Sequence, residues 1–392
     1  MRNLITENSV QGTLFARKSN ANPASRLLCG ALHILLKIYD ISIGDDSSVI
    51  YKILSKIHIL LMHLSAIYLL AVAVPMHLHS SEASEVTFGF AVAGMFPLAL
   101  HYAVKFKKHL VNHILKRFFR IEGMQGICIK TRDIRWMNFI VIIILLIPVF
   151  GAIVTVITLV DDNPLTLYFS FFIDFKNKVI GTSIQFCIIQ ILFGYTYTYP
   201  CIIALMCGAI YYEISEFLYY FQKRLNNESL SLSKNRVLAI METHTFFFEV
   251  AHELLTATSV ICFFLLCTQT TIMYCSLAMF VLTHKGDLTP PQIVENCLVI
   301  TLMPISIFGI VFCASRISRM CQNVQLTLLR LRDGLSRQFI HDKYVIHFLN
   351  LMIEKKFPVM SAFGLGELTP NFVLNMFGSL FTYSLLILNL KK

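Results

Sequence analysis

Long apolar runs separated by shorter polar pieces organise the chain. Seven runs approach or exceed the roughly 20 residues that a helix needs to cross a bilayer core. They cover residues 57–76, 86–104, 137–160, a stretch from 179 past 209, 254–282, 293–315 and 372–390. The runs are continuous, not alternating, which predicts spanning helices and excludes the strands of a β-barrel. A weaker stretch, 27–43, is broken by Lys37 and Asp40 and reads as an interfacial or re-entrant helix leading into the first span.

Orientation follows from the basic residues between the runs. The pieces before the first span and after the second, fourth and sixth hold 28 of the 33 Lys and Arg residues, and the remaining pieces hold 5. Positive charge stays in the cytosol, so the N-terminus is expected in the cytosol and the C-terminus outside. A seven-span G-protein-coupled receptor is oriented the other way. The outer connections, 77–85, 161–178 and 283–292, are too short for a folded ectodomain. The inner ones are longer and helical in pattern. Residues 105–120 read KFKKHLVNHILKRFFR, and 316–360 space apolar residues helically between charges. The division is therefore 1–48, a cytosolic segment with the interfacial helix; 49–315, spans one to six; 316–365, cytosolic helices; and 366–392, the last span. Only Lys391 and Lys392 follow that span, so no tail is expected there to engage a kinase, a G protein or an arrestin.

Composition strengthens this all-α, polytopic membrane reading. Of 392 residues, 56% are hydrophobic, and the mean hydropathy is +0.67, far above a soluble domain. The net charge of +10 sits in connections where topology explains it, so no nucleic-acid partner is expected; membrane lipid is the expected surround. Residues 1–26 lack the apolar core and cleavage site of a signal peptide. The 11 cysteines are scattered without a CxxC pair and read as small buried side chains. Asn227-Glu228-Ser229 is a glycosylation sequon on the cytosolic side, where it stays unused. His77-Leu78-His79 is a weak metal signal, and no metal or cofactor is expected. No HExxH, GxSxG or P-loop pattern is present, so the chain does not read as an enzyme.

Polar residues inside spans are costly and often functional. The third span offers Thr155 and Thr158. The fourth offers Gln185, Gln190, Tyr195, Tyr197 and Tyr199. The fifth offers Thr268, Gln269, Thr271 and Tyr274, and the sixth Thr301. Such amides and hydroxyls hydrogen-bond either a small organic molecule in a cavity or neighbouring helices. No acidic residue falls in the middle of a span, which argues against a cationic-amine pocket and against proton-coupled transport. Pro148, Pro200 and Pro304 are expected to kink spans three, four and six.

The last run carries a motif. Thr382-Tyr383, five residues, then Asn389-Leu390 resembles the Thr-Tyr-(five apolar)-Gln-Phe signature at the C-terminus of arthropod gustatory receptors, whose fold insect odorant receptors share. Phe363-Gly364-Leu365 followed by Thr369-Pro370-Asn371 is similar to the turn before that signature, and 316–360, with Phe357 and Ser361-Ala362-Phe363-Gly364 at its end, resembles the family's anchor region. Asn389 stands where Gln is usual and Leu390 where Phe is usual. The resemblance implies a chemically gated, non-selective cation channel passing Na, K and Ca, in the plasma membrane of a chemosensory neuron. It implies four subunits, identical or with related receptor subunits, and a central pore lined by the last helix. Thr382, Tyr383, Leu386, Asn389 and Leu390 would lie on or near the pore side. Positions 382, 386, 389 and 390 do share one helical face. A ring of four Leu side chains closes a pore by dewetting. The resemblance also places the ligand in the outer halves of spans two to six, which makes Thr155, Gln185, Gln190, Tyr195, Gln269, Tyr274 and Thr301 the candidate ligand residues. The alternatives are an odorant receptor subunit, a G-protein-coupled chemoreceptor and a small-solute transporter. Dependence on a co-receptor, an extracellular N-terminus and saturable uptake distinguish them.

Overall fold

The computed structural model describes residues 30–39, 49–79, 84–125, 131–159, 177–227, 234–282, 290–337 and 343–390, with a few residues between 169 and 175. Its elements are α1 (Gly30–Ile38), α2 (Val49–His79), α3 (Ser84–Gln125), α4 (Thr131–Thr158), α5 (Lys178–Phe193), a π turn (Gly194–Thr198) and α6 (Tyr199–Asn227). There follow α7 (Lys234–Leu282), α8 (Pro290–Arg337), α9 (Lys343–Glu354), strands β1 (Ser361–Ala362) and β2 (Gly366–Glu367), and α10 (Pro370–Leu390). Among the described residues, six helical segments are long and apolar enough to cross a membrane: Val49–Val72, Trp136–Thr158, Lys178–Asn227, Asn235–Val281, Pro290–Ser336 and Pro370–Asn389. The expected span 86–104 lies in α3, a 42-residue helix that is not one of the six, and most side chains of its first two turns lie outside the described residues. Ser229 also falls outside them, as do the side chains of His77 and His79 in the last turn of α2. The nine described cysteines carry free thiols.

Several helices are longer than a bilayer requires. α7 has 49 residues and α8 has 48; at about 1.5 Å per residue each is roughly 70 Å long, against a hydrocarbon core of about 30 Å. The expected boundary between residues 315 and 316 thus falls inside one continuous helix. α8 packs most extensively on α6, and α3 on α7.

The segment Lys178–Asn227 is the most buried of the six. Asn177 caps its start, its side chain accepting from the Val179 amide at 3.0 Å. Pro200 lacks an amide proton and crowds the carbonyl four residues back. The chain answers with a π turn just before it, in which the Tyr199 amide donates to the Gly194 carbonyl. The kink expected at Pro200 is thus an inserted wide turn. Pro148 and Pro304 lie inside α4 and α8, which continue through them.

The basic end of the bundle holds its ionic contacts. Arg117 of α3 donates to Glu249 at 2.8 Å and to Glu253 at 2.5 Å on α7, and its guanidinium lies 5.0 Å from the Phe246 ring centre. Arg316 of α8 donates to Glu216 of α6 and lies over Tyr212. Short helix α9 buries Val345, Leu349 and Met352 against α7 and α8. His244, in the charged part of α7 before Leu254, is fully buried with its ring against Phe357.

A two-stranded hairpin joins α9 to α10, pairing Ser361 with Glu367 and Ala362 with Gly366. The tip turns at Phe363 (φ 52°) and Gly364 (φ 73°), and the Leu365 amide donates to the Ala362 carbonyl at 3.0 Å. Two successive positive φ angles suit a primed turn, and only Gly364 adopts one without steric cost. The Phe363 amide donates to the Ser259 carbonyl of α7 at 3.1 Å, which pins the hairpin to the bundle. The expected break between Gly364 and Pro370 is therefore an ordered turn. A Cβ at Gly366 would lie 2.8 Å from the Phe372 ring, so glycine is what lets the strand pass the start of α10. Gly366→Ala should displace Phe372 and destabilise the fold by about 1–3 kcal/mol. Thermal unfolding in detergent tests this: a lowered midpoint is expected, and a wild-type midpoint contradicts the close approach.

Candidate functional site

Helix α10 is apolar along its whole length yet barely covered by its own chain. Leu374, Phe381, Tyr383, Leu385 and Leu386 are each at least half exposed. Only Val373 and Leu380 are buried, against α7 and α8. Within the apolar stretch, Ser379, Thr382 and Ser384 turn their hydroxyls back to carbonyls one turn earlier, Thr382 to Gly378 at 2.9 Å. This is how short polar side chains are satisfied on a helix in hydrocarbon. Thr382, Tyr383, Leu386 and Asn389 are exposed. Leu390 closes the helix, and its side chain lies outside the described residues.

Three contacts tie α10 to the bundle. Phe377 stacks on Phe308 of α8, with ring centres 5.3 Å apart and planes 7° from parallel. The Thr270 hydroxyl of α7 donates to Met376 Sδ at 3.3 Å. Tyr383 meets Tyr274 of α7 edge to face at 6.2 Å. Phe308 and Met376 carried no signal in the sequence, because an aromatic or Met at helical spacing is ordinary core.

The polar residues expected to face a ligand are distributed, not gathered in one pocket. Gln185 is buried and donates to Ser170 Oγ at 3.2 Å. The Tyr195 hydroxyl, on the π turn, donates to the His58 carbonyl at 3.1 Å. Thr155 Oγ1 and Gln190 Oε1 are buried without a hydrogen-bond partner. Gln269 is fully buried; its Nε2 donates to Ser306 Oγ on α8 at 2.6 Å, and its Oε1 has no partner. Tyr274 packs on α10 as described, and Thr301 is exposed, its hydroxyl donating to the Cys297 carbonyl. Four of the seven therefore sit on α4, α5 and the π turn, two face the α8–α10 side through α7, and Thr301 points away from the bundle.

Sequence reasoning missed two features. Tyr197, buried on the π turn, donates to Glu295, in the second turn of α8. That carboxylate lies near the helix end and not in the middle of a span, so counting mid-span acids passes over it. The second is a cavity of about 580 Å³ between α4, α6 and α8, walled by Met137, Ile144, Ala204, Gly208, Ser306 and Gly309 among others. None of the seven expected ligand residues lines it. Ser306 is its link to Gln269. Among the described residues no group of three metal-ligating side chains occurs.

Solved structures that share this fold include two of one receptor. One is the insect olfactory receptor OR5 from Machilis hrabei, at TM-score 0.61 and 11% identity, covering 88% of this chain and 90% of that one. The other is the same receptor in complex with eugenol, at TM-score 0.64 and 11% identity, covering 92% of this chain and 97% of that one. No protein-family model matches the chain, and no curated protein matches it.

Proposed function

We propose that this protein is a small-molecule-gated, non-selective cation channel of the gustatory receptor type. In this reading four copies assemble with α10 around a central pore, in the plasma membrane of a chemosensory neuron. The observation that carries the proposal is α10 itself: an apolar helix long enough to cross the membrane, held by one edge and left bare on the others. Of the six crossing segments it is the least covered by its own chain, with 11% of its residues buried against 28% or more in each of the others, as suits a helix that lines a pore between copies. The shared fold with an insect olfactory receptor supports the superfamily, and the Thr382-Tyr383 to Asn389-Leu390 spacing supports the gustatory branch. The olfactory identity of the fold's neighbours favours a second reading, an odorant receptor subunit. Currents that require a co-expressed receptor subunit would select it.

Gating follows from the contacts of α10. A small organic ligand bound in the outer halves of the spans shifts the channel only if it binds the open arrangement more tightly than the closed one. The Gln269–Ser306 bond makes α7 and α8 move together, and Phe308–Phe377 and Thr270–Met376 pass that movement to α10. Leu386, Asn389 and Leu390 then close or open the ring, Leu390 by excluding water.

Leu390→Ala should raise basal current in cells expressing the channel, because smaller side chains leave a wider ring that wets more easily. Unchanged basal and evoked currents in that variant would remove Leu390 from the gate. Phe308→Ala and Phe377→Ala should be non-additive, with a coupling of about 0.5–1.5 kcal/mol for the stacked pair. A double-mutant cycle on the ligand concentration for half-maximal current measures it. Strict additivity would mean that the stack does not transmit gating.

A further inference from the structure

The cavity between α4, α6 and α8 occupies the basic-end half of the bundle. It runs from Ile147 and Leu302 down to Trp136, Tyr212 and Cys313. The expected ligand residues of α4 and α5 lie toward the other end. Its volume of about 580 Å³ falls in the range of about 300–1,000 Å³ typical of small-molecule sites. It is not enclosed: Ile305 on its wall is 67% exposed, and Phe312, two turns further along α8, is 65% exposed. These belong to membrane-crossing segments, so hydrocarbon covers them.

The wall offers almost nothing to a polar ligand. Of its two hydroxyl side chains, Ser306 already accepts from Gln269 and Tyr212 lies under the Arg316 guanidinium. Two glycines help keep the space open. A Cβ at Gly309 would meet nothing within 4 Å, and one at Gly208 only Cys313 Sγ at 3.9 Å. Side chains could therefore have filled the space without a clash, although glycine costs a helix about 0.5–1 kcal/mol relative to alanine. An empty slot would forfeit the dispersion contacts that interiors otherwise make. At the mouth the chemistry changes: Trp136 and Tyr212 supply interfacial aromatic rings, Arg316 lies over Tyr212, and Arg319, at the next turn of α8, is exposed. Arg316 is committed to Glu216, and Arg319 is the next cation along α8.

We propose that this groove holds one acyl chain of an anionic phospholipid from the leaflet at the basic end, with the headgroup beside Arg319 and the chain lying over Gly208 and Gly309. The inference rests on α4, α6 and α8 crossing the membrane, not on the channel reading. Basic residues at a membrane surface attract anionic headgroups, and the wall of the groove includes the exposed apolar Ile305.

Trp136 is the chain's single tryptophan and lines the groove, so it reports occupancy directly. The full-length protein is reconstituted in phosphatidylcholine vesicles with a minor fraction of chain-brominated phosphatidylserine or chain-brominated phosphatidylcholine. The brominated phosphatidylserine should quench Trp136 with about fivefold higher apparent affinity, the size expected of one arginine near the surface. Gly309→Leu fills the slot and should bring the ratio close to one. Arg319→Gln should do the same by the headgroup route, and it provides the result if Gly309→Leu does not assemble. Equal quenching of the wild type by both lipids overturns the proposal. A preference that survives Gly309→Leu assigns it to surface lipid and also overturns it. No quenching by either lipid would show a second copy or another protein segment over the groove, the third contradicting outcome.

Discussion

Backbone groups in hydrocarbon can hydrogen-bond only one another, and leaving one unpaired costs several kcal/mol. That constraint shapes most of this molecule. Each crossing segment is helical from end to end, and where Pro200 removes a donor the chain inserts a π turn and does not break. Hydroxyls within the spans bend back to carbonyls one turn earlier, as Thr258, Thr268 and Thr382 do. Among the described residues the two strands lie together at the basic end, just before α10, where their hairpin is held to α7 by the Phe363–Ser259 bond.

The same helices that cross the membrane continue beyond it. α7 and α8 carry their spans into the charged end, where Arg117 joins α3 to α7 and Arg316 joins α8 to α6. A displacement within the membrane is therefore carried by rods and not by loops. α10 differs, because it enters through the hairpin and touches α7 and α8 along one edge. A helix attached at one end and along one edge can tilt without unpacking the core.

Much of this architecture is legible in the sequence. The apolar runs locate α2, α4, the rod from Lys178, α7, α8 and α10, because hydrophobic length is a strong signal where the solvent is lipid. The helical spacing of 316–360 anticipates the extension of α8 and helix α9. What the sequence hides depends on three-dimensional neighbours. Nothing local distinguishes Gln269, which bonds Ser306 on another helix, from a glutamine facing a ligand. The π turn comes from Pro200, whose usual signal is a kink. The groove exists because Gly208 and Gly309, 101 residues apart in sequence, come to line one space, and no single-chain pattern announces that.

The central claim is that α10 is bare because other copies surround the pore it lines. The most direct test is the mass of the purified protein in detergent, by light scattering corrected for bound detergent. The account predicts a particle near four times the 44.7 kDa chain. A monomer or dimer that persists across mild detergents would contradict it.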